Sequence, residues 1–141
     1  MNIGLGKARR TILLVDPDAH ARAILRRALE AAGFSVGEAC SNHEGERTAL
    51  RIRPDAILAE LVADTEGDDR MVSERLITKK IEIPCYIVST ASDALMGSIG
   101  LDELGIAGVF LKPIEADVIV RTLEARFSVS ALTPAGADRH A

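Results

Sequence analysis

Short, continuous apolar runs alternate along the chain with segments of helical periodicity. Thr11-Ile-Leu-Leu-Val15 is such a run, closed by Asp16, and fits a strand buried on both faces. Asp18 stands at a helix N-cap position ahead of Ala19–Ala32. There Ala21, Ile24, Leu25, Ala28 and Ala32 share one face, while Arg22, Arg26 and Glu30 lie elsewhere on the wheel. Gly33 supplies the stop. Phe34–Cys40 reads as a second, weaker strand, and Ser41-Asn-His-Glu44 has capping-box spacing for a helix to about Ile52.

The cycle repeats. Asp55–Ala59 is a strand closed by Glu60, Leu61–Gly67 a polar loop, and Asp68–Lys80 a helix with Met71, Val72, Leu76 and Ile77 apolar. Pro84–Val88 is a strand ending at Ser89 and Thr90. Asp93–Leu104 is a poor helix carrying Gly97 and Gly100, each costing about 1 kcal/mol against Ala. Ala107–Leu111 is a strand ending at Lys112-Pro113, and Glu115–Phe127 is the last helix. Residues 1–10 read as an N-terminal extension, 11–127 as one domain, and 128–141 as a flexible tail or linker stub.

Five strands alternating with five helices predict a parallel sheet with helices on both faces. Right-handed crossovers leave few topologies, and the flavodoxin-like five-stranded order 2-1-3-4-5 fits this length.

Composition sharpens the picture. With 141 residues, 48% hydrophobic and only four aromatics (Phe34, Tyr86, Phe110, Phe127), the core must be aliphatic. A formal charge of −4 argues against direct nucleic-acid binding. Arg22, Arg26 and Arg27 form a local basic edge, read as a solvated face. MNIGLGKARR lacks the apolar stretch of a secretory leader, and no 18-residue apolar run offers a membrane span, so a cytoplasmic location is expected. Cys40 and Cys85 are expected to be buried, reduced structural thiols, and His20, His43 and His140 surface residues with no ligand spacing.

In such sheets the site lies at the carboxyl ends of the strands. Those ends carry Asp16, Glu60, Ser89 with Thr90, and Lys112, which places two carboxylates, hydroxyls and an ammonium on one rim.

The residues around them carry a family pattern. ILLVDPD (Ile12–Asp18), PDAILAEL (Pro54–Leu61), IPCYIVST (Ile83–Thr90) and GVFLKPI (Gly108–Ile114) resemble, in order and spacing, the signatures of the response-regulator receiver domain of two-component signalling. The resemblance covers roughly Arg10 to Phe127. It implies an aspartate at the end of strand three that accepts a phosphoryl group from a histidine kinase. Two acids after strand one would hold Mg²⁺ with it, a lysine and a hydroxyl would contact the phosphate, and an aromatic three residues before the lysine would act as a rotamer switch.

Matched position by position, Asp16 is the first acid, Lys112 (with Pro113) the lysine and Ser89 the hydroxyl. Pro17 replaces the second acid, Glu60 the phosphoacceptor and Val109 the switch aromatic, with Phe110 on the opposite strand face. Asp18 is read as the helix cap. A Glu carboxylate sits about 1.5 Å from an aspartate's place, and misplacement by about 1 Å can cost roughly 100-fold in rate. The expectation is a degenerate or pseudo-receiver: no enzyme, an acidic pocket reduced to Asp16 and Glu60, Mg²⁺ binding weak or lost, and no metal ligands assigned. It would act as a phosphorylation-independent protein-interaction module whose partner is a histidine kinase or an output domain. One alternative is a phosphorylatable receiver using Glu60 or Asp64 as an atypical acceptor. Another is a small α/β ligand binder outside signalling. The family dimer through helix four, strand five and helix five is not expected, because Ala107-Gly108-Val109 offers no acid for Arg121 to meet.

Overall fold

The computed structural model describes residues 9–60, 70–89 and 105–132. Five strands, β1 (Thr11–Val15), β2 (Ser35–Ala39), β3 (Ala56–Glu60), β4 (Cys85–Ser89) and β5 (Ile106–Leu111), form one parallel sheet in the order β2-β1-β3-β4-β5. This is the flavodoxin-like topology expected from the alternation of elements. Four helices are described: α1 (Ala19–Ala31), α2 (Asn42–Ile52), α3 (Val72–Thr78) and α4 (Ala116–Leu132). The helix expected over Asp93–Leu104, with Gly97 and Gly100, lies outside the described residues, as do the 61–69 loop and Thr90.

The period-two rule sorts the core into two layers. Leu13, Val15, Ile57, Ala59 and Ile87 face α2 and α3 through Ala49, Val72 and Leu76. Ile12, Leu14, Ala56, Leu58 and Tyr86 face α1 and α4 through Leu25, Leu29, Ile119 and Leu123. The continuous apolar runs of β1, β3 and β4 are explained by this: each face has a helical layer to bury against. Each of these larger side chains contributes about 1.5–3 kcal/mol by leaving water.

Local signals set the element ends. Asp18, extended at φ −85°, accepts from the His20 and Ala21 N–H groups at 2.9 and 3.2 Å and so starts α1. Ser41 Oγ accepts from the Glu44 N–H at 3.1 Å, and Glu44 reaches back to the Cys40 N–H at 2.6 Å. Gly33 leaves α1 at φ +100°. Inside α2, a Cβ on Gly45 would stand 2.8 Å from Val72 and 2.9 Å from Val15, so only glycine lets α2 settle between β1 and α3.

Three expectations need correction. Cys40 is exposed, because it lies one residue past β2, at the sheet's edge, where no layer covers it; Cys85 is buried as expected. The last helix runs to Leu132 rather than Phe127, so residues 128–132 of the expected tail are helical. Ser128-Val-Ser-Ala-Leu132 holds no Gly or Pro, and the first breaker is Pro134. Finally, α3 starts at Val72, where Glu74 accepts from the Met71 N–H at 3.1 Å; the Asp68 expected to open it lies outside the described residues.

Candidate functional site

Two ladders run one bond past their strands and fix the rim. The Asp16 N–H donates to the Ala39 carbonyl at 3.0 Å, and the Lys112 N–H donates to the Ser89 carbonyl at 2.8 Å. With Glu60 closing β3 opposite Val88, the strand ends bring Asp16, Glu60, Ser89 and Lys112 to one edge of the sheet. The Lys112–Pro113 peptide bond there is cis.

The Lys112 ammonium donates to Glu60 Oε1 at 2.6 Å. Its side chain is 39% exposed and that of Glu60 only 12%. The hydrogen bond to Glu60 holds the lysine above its ordinary pKa, against a smaller opposing effect of burial and with further help from the negative charges of Glu60, Asp16 and Asp18. Glu60 Oε2 and Ser89 Oγ, both buried, have no hydrogen-bond partner among the described residues. A cavity of about 20 Å³ is lined by Glu60 together with Asp16, Arg22, Leu58, Val88 and Ile114 among others.

Two further described acids near the rim each use one carboxylate oxygen on backbone N–H groups. Asp16 Oδ1 accepts from the Asp18 N–H at 2.8 Å, and Asp18 Oδ1 is spent on the α1 cap. Pro17 contributes no side-chain donor atom. No group of three or more His, Cys, Asp or Glu side chains that could hold a metal occurs among the described residues. Asp55 sits at the opposite rim, accepting from the Thr11 N–H at 2.8 Å beside Arg10. Asp64 lies outside the described residues.

Val109 is half-buried and packs on the α2/α3 side of the sheet. Phe110 faces the other layer and stacks on Tyr86 with ring centroids 5.5 Å apart. The aromatic one residue from the switch position therefore belongs to the core beneath α4. Arg121 pairs with Asp117 one turn back in its own helix at 3.4 Å.

Sequence reasoning missed the part played by Arg22. Its Nε donates to Glu38 at 2.8 Å and its Nη1 to the Asp16 carbonyl, tying α1 to β2 and to the rim. Arg26 joins the same carboxylate and reaches Glu30 at 3.0 Å. Arg27, the third residue of the basic edge, is exposed. Two hydrogen-bonded guanidinium groups hold the Glu38 carboxyl below its ordinary range. The available signal was Glu38 itself, an acid inside a strand in reach of helical arginines. A second missed feature is Arg75, 5% exposed, whose guanidinium meets Glu46 at 3.0 Å and the Arg70 carbonyl at 3.3 Å. His20 and His43 are exposed, and His140 lies outside the described residues.

No helix among the described residues is long and apolar enough to cross a membrane. Comparison with curated proteins finds no match. Solved structures match closely in shape. The N-terminal domain of an uncharacterized protein from Wolinella succinogenes shares 25% identity at a TM-score of 0.76, covering 88% of this chain and 98% of that one. The chemotaxis response regulator CheY4 of Vibrio cholerae shares 19% at 0.73, covering 84% and 98%. A CheY-like receiver domain protein from Methanospirillum hungatei shares 16% at 0.75, covering 86% and 95%. The family model of the response regulator receiver domain matches residues 12–124, most of the chain. Sheet order and this match agree, and the chain belongs to the response-regulator receiver domain family, a signalling module of two-component systems.

Proposed function

We propose that this receiver is a phosphorylation-independent docking module in bacterial signal transduction, acting in the cytoplasm without catalytic turnover. The observation that carries the reading is the 2.6 Å contact between Lys112 Nζ and Glu60 Oε1. In a receiver the lysine meets the phosphoryl group carried by the acceptor; here it already meets the acceptor-equivalent carboxylate. The longer glutamate side chain spans the gap that a phosphoryl group would otherwise fill.

Glu60 Oε1 is held by the ammonium and Oε2 is buried, and the carboxylate stands about 1.5 Å from an aspartate's place, a misplacement that can cost about 100-fold in rate. Val109 in the switch position has no ring to rotate, so occupancy of the pocket has no aromatic reporter. Of the four rim residues, Glu60 and Lys112 are joined directly, so the acceptor position is already paired.

The partner is a protein, a histidine kinase or an output domain, rather than a nucleic acid or a membrane. Ile24 and Ile114, 51% and 36% exposed, flank an apolar groove of about 270 Å³ that reaches Lys112 and Pro113, beside the rim. The groove presents apolar side chains that a partner could cover. The family dimer through α4 and β5 is not used, since Ala107-Gly108-Val109 carries no acid and Arg121 is satisfied by Asp117.

Incubation with acetyl phosphate and Mg²⁺, followed by intact mass, tests this. The expected result is unmodified protein; a stable adduct of one phosphoryl mass would overturn the reading.

A further inference from the structure

We propose that the amino-terminal end of the sheet is a basic docking face whose occupant is the acidic carboxyl-end rim of a second copy of this chain, joined head to tail. The inference starts from the end of the sheet opposite the pocket and does not depend on the phosphoryl chemistry discussed above.

All five strands are parallel, so they start at one end of the sheet and finish at the other, about 17 Å away for a strand of five residues. The residues at the starting end are mostly basic. Arg9 precedes β1, Arg51 and Arg53 close α2 ahead of β3, and Lys80 follows α3 ahead of β4. Because β1, β3 and β4 are adjacent, these cations cross the middle of the end face. All four are exposed, and none has an ion pair among the described residues. Arg10 and Lys79 stand with them but are engaged, Arg10 with Asp55 at 3.7 Å and Lys79 with Glu46 at 3.4 Å. Of the acids at this end, Asp55 and Glu30 are paired with Arg10 and Arg26, while Glu82 is exposed.

Backbone geometry gives independent support. Arg53 and Lys80 have φ of +49° and +59°, in the left-handed region where an L side chain is strained and glycine is the usual residue at a helix end. The chain does use glycine in this way at Gly33, φ +100°, and Gly105, φ +75°. In the loops ahead of β3 and β4 it keeps a cation instead. The helix dipole accounts for Arg51 in the last turn of α2. It does not account for Arg9, which lies on no helix, nor for holding side chains at 53 and 80 against strain.

The opposite rim carries the complementary charge. Asp16, Asp18, Glu44 and Glu115 enter no ion pair among the described residues. Asp16 and Asp18 accept from neutral backbone N–H groups and so keep their charge. The cations at this end are occupied: Lys112 by Glu60, Arg121 by Asp117, and Arg70 is also engaged. Two ends of opposite sign on one chain fit a heterologous contact, in which the surface given by one copy differs from that given by the next. Such complementary faces set register and make association salt-sensitive.

Sedimentation velocity of the full chain over a range of concentrations tests this, at ionic strengths of about 0.1 M and about 1 M, where the Debye length is about 10 Å and about 3 Å. The wild type should associate at the lower salt and sediment as a monomer at the higher. Arg53→Gly with Lys80→Gly removes two cations and relieves the left-handed strain, so this double variant should fold at least as firmly. Its association should weaken by about fivefold or more. Arg53→Lys with Lys80→Arg keeps both charges and should associate as the wild type does. On the other face, Asp18→Asn with Glu115→Gln preserves the α1 cap and should weaken association to a similar degree. The two neutralised variants each retain one intact end, so their mixture should form a heterodimer at concentrations where neither self-associates. A wild type that stays monomeric at the lower salt, glycine variants that associate unchanged, or a mixture that fails to pair overturns the inference.

Discussion

Glu60 and Lys112, 52 residues apart in the chain, meet at 2.6 Å across the tip of β4. The contact joins strands that are not neighbours in the sheet, since β4 separates β3 from β5. Loss of the lysine leaves a mostly buried carboxylate without its donor. Lys112→Ala should therefore lower stability by about 1–3 kcal/mol in urea unfolding. Adding Glu60→Ala should return part of that loss, with a coupling energy of about 1 kcal/mol. A coupling of zero would mean that the pair does not hold the rim closed.

Arg75 and Glu46 fix α3 against α2, with Lys79 adding a second contact to Glu46 at 3.4 Å. Removing Arg75 leaves the mostly buried Glu46 with the longer, half-exposed Lys79 contact. Arg75→Met should cost about 3–5 kcal/mol, and a companion Glu46→Leu should recover most of it. Thermal unfolding of the three variants checks both statements.

Acid should loosen the sheet edge at β2. The hydrogen bonds from Arg22 and Arg26 depress the Glu38 carboxyl below its ordinary value of 4.5. A depressed carboxyl contributes stability that is fully present above the unfolded pKa and is lost as pH falls through the folded one. Glu46 is also depressed: burial works against it, but the hydrogen bonds from Arg75 and Lys79 prevail. Stability should thus decline as pH drops below about 4.5, the ordinary glutamate range. Glu38→Gln should flatten that decline, as read by urea midpoints across acidic pH. An unchanged slope would contradict the Glu38 network.

The two thiols should separate cleanly. Burial pushes Cys85 up to about 12, whereas Cys40 is exposed and raised chiefly by its hydrogen bond with Glu44. Maleimide should label one thiol per native chain and the second only on unfolding. Glu44→Gln should speed labelling of Cys40; labelling of Cys85 in the native protein would contradict the core assignment.

How much of this was legible in the sequence depends on the range of the interaction. Ile12–Val15, Ala56–Ala59 and Cys85–Val88 announced themselves because both their faces are buried, which leaves no polar position to break the run. Asp18 and Ser41 were readable because a cap acts within three residues. Cys40 was misread because exposure at a sheet edge depends on which strand lies outermost, a property of the whole topology. The α4 boundary was placed too early because the breakers of 128–141 begin only at Pro134. In the rim, residue types were readable one at a time. The pairings were less so: strand-end placement put Glu60 and Lys112 on one rim, while Arg22–Glu38 and Arg75–Glu46 depend on side chains meeting between helix and edge strand or between two helices.

The central claim is that this rim is closed by its own lysine and does not respond to a phosphoryl group. Beryllofluoride, a phosphoryl mimic, added with Mg²⁺ and followed by amide NMR, tests it most directly. The account predicts no saturable shifts at Asp16, Glu60, Ser89, Val109 or Lys112. Saturable shifts at those residues, spreading to β5 and α4, would contradict it.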